Sequence, residues 1–188
     1  MTPDDVRAYV EGLGGVLVLA PGPGDGTPKV AWGDLFFYEA PDGVVPPGQP
    51  FATVVTKDYP GEPSSGLDRP GAFRVNVGAD AEELARWSAA ADDLPPTTTD
   101  VVMPHPTYAA QGWLCVVYPA DGSGDALRGL LSSAHARARA RRERRERAAP
   151  TDEPGHELAP GGRLTGCPRE TRSGWPAGSS TPRSPGGC

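Results

Sequence analysis

The distribution of large apolar side chains limits where this chain can form a core. They recur at strand or helix spacing up to Ala138, and beyond it no apolar side chain larger than alanine occurs until Leu158. The chain contains 25 Gly and 23 Pro, a proportion typical of sequences that do not fold along their whole length. We therefore expect a folded domain over residues 1–138, an Arg-rich helix extension over 139–147 and a disordered Gly/Pro/Ser-rich tail over 148–188.

Helix start signals stand at three places in the expected domain. Thr2 with Asp5, and Asp80 with Glu83, have the spacing of capping boxes, in which each side chain accepts a hydrogen bond from the other residue's backbone N–H group. A third helix is predicted to begin between residues 123 and 125, because leucine and alanine recur after that point at helical spacing. The sequence thus predicts one helix before the strands, one between them and one after them.

Segments rich in β-forming residues alternate with loops of Gly, Pro and Asp, which is typical of antiparallel strands. The predicted strands cover residues 15–20, 29–38, 51–57, 72–77 and 112–118. Phe73, Val75 and Val77 alternate strictly with Arg74 and Asn76, so the two sets are expected on opposite faces of the sheet. The predicted fold class is α+β, with two layers, an antiparallel sheet and helices on one of its faces.

The charges of the chain are unevenly distributed. Residues 1–127 are acidic, whereas residues 128–147 contain 8 Arg and 2 Glu. Two interpretations of this basic run are open: an exposed helix end stabilised by pairs such as Arg139 with Glu143 and Glu143 with Arg147, or a surface that binds nucleic-acid phosphates. The acidic body repels nucleic acid and no aromatic residue interrupts the basic run, so the sequence favours the exposed helix end.

The cysteines and the N-terminus argue against several classes of protein. Cys115, Cys167 and Cys188 are widely spaced and odd in number, which predicts neither a disulfide framework nor a zinc site. We expect no metal and no cofactor. The acidic residues after Met1 are unlike a signal peptide, and no apolar run reaches the roughly 18 residues that a membrane span requires. A cytoplasmic protein without membrane contact is the expectation.

Polar and aromatic residues at strand ends and on the polar strand face form the candidate site. His105 lies between two prolines and close to aromatic residues, where a histidine can contact a ligand or accept a proton. Arg74 and Asn76 face either solvent or a polar pocket, and Arg74 could instead pair with a buried carboxylate such as Asp34 or Asp58. The candidate ligand-binding residues are Asp34, Lys57, Arg74, Asn76, His105, Tyr108 and Trp113. For the charged residues and Asn76, each taken alone, an exposed strand face or a turn is the alternative. For His105 the alternative is a residue that fixes the entry to a strand.

Four separated blocks, residues 30–38, 50–59, 67–76 and 104–113, resemble in the same order the actinobacterial domain of unknown function family number 6194. The resemblance extends from residue 1 to about residue 145. A fainter resemblance, in architecture more than in residues, is to the MmcQ/YjbR-like domains, which implies a two-layer α+β fold with an antiparallel sheet. Such domains have been suggested to bind DNA, and neither resemblance implies a reaction.

These observations predict a small binding or interaction domain whose partner is an unknown small molecule or protein. One alternative is a nucleic-acid-binding regulator that uses the Arg-rich end of the last helix. Another is an enzyme of unknown reaction that uses His105 and Asp34; the sequence does not decide this, and it favours a protein without enzymatic activity.

Overall fold

The computed structural model of the chain describes residues 1–91 and 93–148, so the predicted disorder of the tail from residue 149 onward lies outside the described residues. This part folds into one six-stranded antiparallel sheet with three α-helices, which confirms the predicted α+β class. The helices are α1 (Pro3–Glu11), α2 (Ala81–Ala90) and α3 (Gly124–Ala148). The strands are β1 (Val16–Leu19), β2 (Leu35–Glu39), β3 (Ala52–Val55), β4 (Arg74–Gly78), β5 (Met103–Pro104) and β6 (Trp113–Val117). In space they follow the order β1-β2-β3-β4-β6-β5.

The pairing register of the strands separates the side chains into two sets. One row of paired residues lies on the first face of the sheet: Leu35, Val54, Val75 and Val116. The neighbouring row lies on the opposite face: Phe36, Thr53, Asn76 and Cys115. The predicted alternation over residues 73–77 is therefore confirmed. A slip of one residue in this register would exchange the apolar face for the polar one.

Two helices cover the first face of the sheet and complete a hydrophobic core there. Val6 and Val10 of α1 and Leu127 and Leu131 of α3 are buried against the strands. Each buried valine or leucine contributes roughly 1.5–3 kcal/mol, so this layer supplies much of the apolar stabilisation. Both predicted capping boxes are present, at the starts of α1 and α2.

The strand predicted over residues 29–38 begins later than expected. Lys29–Ala31 forms a 3₁₀ turn, and β2 begins only at Leu35. Gly33, between them, has a φ of 85°, a left-handed conformation that interrupts a strand. Its N–H group donates a hydrogen bond to the carbonyl of Pro21, so this segment is tied to the preceding loop instead of pairing with a neighbouring strand.

The last helix, α3, continues without a break across the expected domain boundary and ends at Ala148. The predicted pair of Arg139 with Glu143 is present, at 2.9 Å. The interpretation of the whole basic run as an exposed helix end is wrong for Arg142. Its guanidinium donates hydrogen bonds to both carboxylate oxygens of Glu39 in β2, at 2.7 and 3.2 Å. The second half of α3 is therefore attached to the end of the sheet.

Asp100 fixes the start of α3. Its carboxylate accepts hydrogen bonds from the Ser123 hydroxyl and from the backbone N–H groups of Ala120, Gly122 and Ser123. These bonds, above all the one from the Ser123 hydroxyl, lower the pKa of Asp100 to about 2. The Asp100 side chain thereby accepts hydrogen bonds from N–H groups at the start of α3 and just before it, which have no partner within the helix.

Replacing Asp100 by Asn should lower the free energy of unfolding at neutral pH by about 1–2 kcal/mol, because a charged acceptor is lost and the new amide group can face the Gly122 N–H group. The pKa of Asp100 is depressed in the folded state. Its charge therefore stabilises fully above the ordinary aspartate pKa of 3.8, and that stabilisation is lost as the pH falls towards about 2. Urea unfolding should therefore show a smaller difference in the free energy of unfolding between wild type and Asp100→Asn at about pH 3 than at neutral pH.

Asp121→Asn is the matched control for Asp100, because this exposed residue lies in the same connection before α3. It should leave the free energy of unfolding nearly unchanged. A difference between wild type and Asp100→Asn that is equal at both pH values would contradict the role given to the Asp100 charge.

Replacing Arg142 by Gln should lower the melting temperature by a few degrees, because the buried carboxylate of Glu39 loses a bidentate partner. Arg144→Gln makes the same charge change at an exposed position of α3 and should leave the melting temperature unchanged. Thermal unfolding followed by circular dichroism measures both. Equal melting temperatures for the two variants would show that Arg142 does not attach α3 to the sheet.

Candidate ligand-binding site

The face of the sheet opposite the helices carries a cavity of about 350 Å³, which we call the sheet-face cavity. Strands β2, β3, β4 and β6 form its floor, and the segments 59–62 and 105–113 form its walls. Its aromatic lining consists of Phe36, Tyr38, Tyr59, Tyr108 and Trp113. Its polar lining includes Thr53, Glu62, Arg74, Asn76 and His105. A cavity of this size that combines aromatic surfaces with fixed polar groups is typical of a site for a small molecule.

Five of the seven residues predicted from the sequence line this cavity: Arg74, Asn76, His105, Tyr108 and Trp113. They belong to two distant parts of the chain, which the pairing of β4 with β6 brings together. Asp34 and Lys57 are not among the lining residues. The structure thus unites one group of the candidates and places the other two behind the wall of the cavity.

Arg74 is the centre of a hydrogen-bonded network in the floor. Its Nε donates to Asn76 Oδ1 at 2.9 Å, its Nη1 to Ser65 Oγ at 2.8 Å and its Nη2 to Glu62 Oε2 at 3.3 Å. Asn76 Nδ2 in turn donates to Thr53 Oγ1 at 2.9 Å. Arg74 is only 3% exposed, so its charge is compensated by Glu62 and not by Asp34 or Asp58. The network holds these side chains in fixed orientations below the cavity.

His105 is held in one tautomer by its own backbone surroundings. Its Nδ1 accepts hydrogen bonds from the backbone N–H groups of Thr107 and Tyr108, at 3.1 and 3.2 Å. Burial, and secondarily the positive charge of Arg74, lower the pKa of His105 to about 3, so the ring is neutral at physiological pH. In a neutral imidazole one nitrogen accepts and the other carries the proton. The proton of His105 is therefore on Nε2.

The Nε2–H group of His105 is a hydrogen-bond donor without a partner among residues 1–91 and 93–148. This nitrogen is not fully buried. Among these residues, the single fully buried side-chain polar atom without a partner belongs to His135. The ring of Tyr108 lies 4.8 Å from that of His105, and this tyrosine is 42% exposed at the edge of the cavity. His105 therefore offers a donor to the cavity rather than a base.

Asp34 holds the loop that follows β3. Its fully buried carboxylate accepts hydrogen bonds from the backbone N–H and hydroxyl of Thr56, from the Lys57 ammonium group and from the Tyr59 hydroxyl. The Lys57 ammonium also donates to the carbonyl of Trp32 at 2.7 Å. Burial, together with the hydrogen bond to Asp34, raises the pKa of Tyr59, so its hydroxyl stays protonated. Asp34 and Lys57 thus position the aromatic ring of Tyr59 in the cavity wall.

A second carboxylate, that of Asp58, organises the next part of this loop. It accepts hydrogen bonds from the Ser64 hydroxyl and from the backbone N–H groups of Ser65, Gly66 and Leu67. Ser65 is thereby placed where its hydroxyl receives the hydrogen bond from Arg74. The loop is fixed from both of its ends.

Sequence reasoning missed several residues of the site. Thr53 carried a usable signal, because it alternates with the buried residues Ala52 and Val54 in β3. No local pattern singles out Glu62 or Tyr59, since their places depend on the path of the loop across the sheet. Their roles follow from the three-dimensional structure alone.

Cys115, in the row beside Asn76, is no nucleophile. Burial raises the pKa of its thiol to about 12, so the thiolate is absent at physiological pH. In the described part of the chain, no three histidine, cysteine, aspartate or glutamate residues come together in a way that could hold a metal ion. None of the described helices combines the length and the apolar character needed to cross a membrane.

Comparison with known proteins provides a family but no activity. A family model, described as a family of unknown function, matches residues 1–147. No curated protein and no solved structure matches the chain. The chemistry of the site must therefore be derived from its own geometry.

Replacing Arg74 by Met should lower the free energy of unfolding by about 3–5 kcal/mol, because the carboxylate of Glu62 loses its partner in a site largely shielded from water. Adding Glu62→Gln should recover part of this loss, since a neutral amide costs less to leave unpaired than a charge. Urea unfolding of the two single variants and the double variant gives the coupling energy. A loss below about 1 kcal/mol for Arg74→Met would mean that the arginine is accessible and not structural.

Proposed function

The chain belongs to the family of unknown function DUF6194, and we propose that its domain binds a small molecule in the sheet-face cavity. This proposal rests on the Nε2–H donor of His105, which has no hydrogen-bond partner among the described residues. Buried polar groups in proteins are nearly always hydrogen-bonded, and the groups around His105 obey this rule. A fixed donor that no described residue accepts from is suited to an acceptor atom of a ligand.

The aromatic lining supports a ligand with a flat ring. Phe36, Tyr38 and Trp113 present apolar surfaces to the same space as the His105 donor. Aromatic side chains contribute large contact areas and have preferred stacking geometries. The ligand class that fits is a compact ring compound with a hydrogen-bond acceptor in or on the ring.

The preorganised floor also supports binding. A buried arginine is costly to desolvate and its pairing gives little net stability, so its presence in a small domain favours a role beyond holding the fold. The Arg74 network fixes the shape of the cavity before any ligand arrives. A preformed site loses less conformational entropy on binding than a flexible one.

Binding is better supported than catalysis by His105 and Asp34. A general base at neutral pH needs a free lone pair and a pKa near the working pH, and His105 has neither. Asp34 is enclosed by the groups that it accepts hydrogen bonds from and does not line the cavity.

A cytoplasmic location, an actinobacterial source and the fainter MmcQ/YjbR-like resemblance stay predictions from the sequence.

A fragment screen by two-dimensional NMR on the full chain tests the proposal. Flat ring fragments that bear an acceptor should bind and should shift the signals of Asn76, His105 and Trp113. Tyr108→Ala should weaken these fragments about tenfold, because an aromatic contact at the edge of the cavity is lost.

Leu94→Ala is the control for this experiment, since Leu94 is another partly exposed apolar side chain and does not line the cavity. It should leave fragment affinity unchanged. Fragments that shift signals elsewhere, or that bind Tyr108→Ala as well as the wild type, would contradict a ligand site on this face of the sheet.

A further inference from the structure

A second cavity of about 330 Å³ lies between the end of the sheet and the second half of α3. Three arginines of α3 line it, namely Arg137, Arg141 and Arg145, and we call it the arginine cavity. They are spaced four residues apart, so they lie on one side of the helix. The loop over residues 46–50 forms the facing wall.

The arginines of this cavity are unequally paired. Arg137 contacts the carboxylates of Asp80 and Glu83, at 3.2 and 2.8 Å. Arg145 makes one hydrogen bond, to the carbonyl of Pro47 at 3.5 Å. Among residues 1–91 and 93–148, no carboxylate lies within ion-pair distance of Arg141 or Arg145. Two positive charges in a concave site are therefore left uncompensated.

The carboxylate that lines the arginine cavity does not neutralise these charges. Glu39 is already engaged by Arg142, which bonds both of its oxygens. The negative charge of Glu39 is therefore neutralised by Arg142, which does not line the cavity. The local balance thus stays positive at Arg141 and Arg145.

The helix itself does not explain the position of Arg141. Like charges four residues apart destabilise a helix. The helix dipole favours cations only within the last turn, and Arg141 lies well before the end of α3 at Ala148. Partial burial and the charges of Arg137, Arg145 and Arg144 lower the pKa of Arg141, which shows the same repulsion. A bound anion would relieve it.

The two cavities meet at the end of the sheet. Both are lined by Tyr38, Gln49, Pro50, Gln111 and Trp113. One ligand can therefore contact both cavities, with its ring on the open sheet face and a charged end beside α3. Arginine binds phosphate with several parallel hydrogen bonds and suits such an end.

We propose that the arginine cavity binds the phosphate group of a ring-bearing phosphate ester, of the class of nucleoside monophosphates. This inference rests on the proposed function, because the ring of the same molecule occupies the sheet-face cavity. Nucleic acid shares the phosphate chemistry. The acidic body of the domain and the concave position of Arg141 and Arg145 favour a small ester over a polymer.

Isothermal titration of the full chain with matched probes tests the inference. The probes are inorganic phosphate, adenosine, adenosine 5′-monophosphate, uridine, uridine 5′-monophosphate and a single-stranded oligothymidylate. At least one of the two esters should bind ten or more times tighter than its unphosphorylated partner, which corresponds to about 1.4 kcal/mol or more. The double variant Arg141→Gln/Arg145→Gln should abolish that advantage and leave binding of the unphosphorylated compound unchanged.

The control is Arg139→Gln/Arg147→Gln, which makes the same charge change on the same helix at residues that do not line the arginine cavity. It should keep the advantage of the ester. An ester that binds no tighter than its unphosphorylated partner would overturn this inference, and the NMR fragment screen would still decide the proposed function independently. Inorganic phosphate that binds as tightly as the esters would overturn the joint ligand, and the fragment screen would again decide the proposed function separately.

The oligothymidylate distinguishes the polymer from the small ester. Tight, strongly salt-dependent binding that both double variants weaken equally would overturn the inference in favour of a nucleic-acid surface along α3. Weak binding of the oligothymidylate beside a tenfold advantage of the monophosphate would support the small ester.

Discussion

A buried guanidinium is the constraint on which the open face of the sheet depends. Arg74 is removed from water in β4, so each of its donor groups needs a partner, or the domain loses much of its stability. Asn76 of the same strand supplies one acceptor, whereas Ser65 and Glu62 come from the loop after β3. That loop must therefore close over the sheet. In closing, it forms one wall of the cavity.

Two carboxylates that do not line the sheet-face cavity hold the loop in this position. Asp34 binds the residues directly after β3, and Asp58 binds the backbone further along. Tyr59 and Glu62 lie between these anchored points, so they have little freedom to move. The cavity is thus preformed by groups that never touch its contents, and variants of Asp34 should affect binding only through the position of Tyr59.

Local patterns were sufficient to predict the three helices, five of the six strands and the two faces of the sheet, but not the contacts between distant segments. The alternation over residues 73–77 and the capping boxes depend on neighbours within a few positions, and both predictions were confirmed. Arg142 and Glu39 are 103 positions apart, and their contact requires the complete register of the sheet. The pairing of Arg74 with Glu62 requires the path of a loop that no periodicity describes. Spacing therefore predicted which face Arg74 occupies and left its partner undetermined.

The two cavities suit different parts of an anionic ligand. The cost of removing charge from water determines which part each cavity can bind. Each nitrogen of Arg74 already donates a hydrogen bond within the protein, and an anion beside this arginine would also meet the charge of Glu62. Arg141 and Arg145 line a cavity, have no carboxylate partner in the described residues and can turn towards an anion. The neutral donor of His105 suits an uncharged acceptor such as a ring nitrogen or carbonyl. A ligand with a polar, uncharged ring and one charged end matches this division, and a ligand charged at both ends does not.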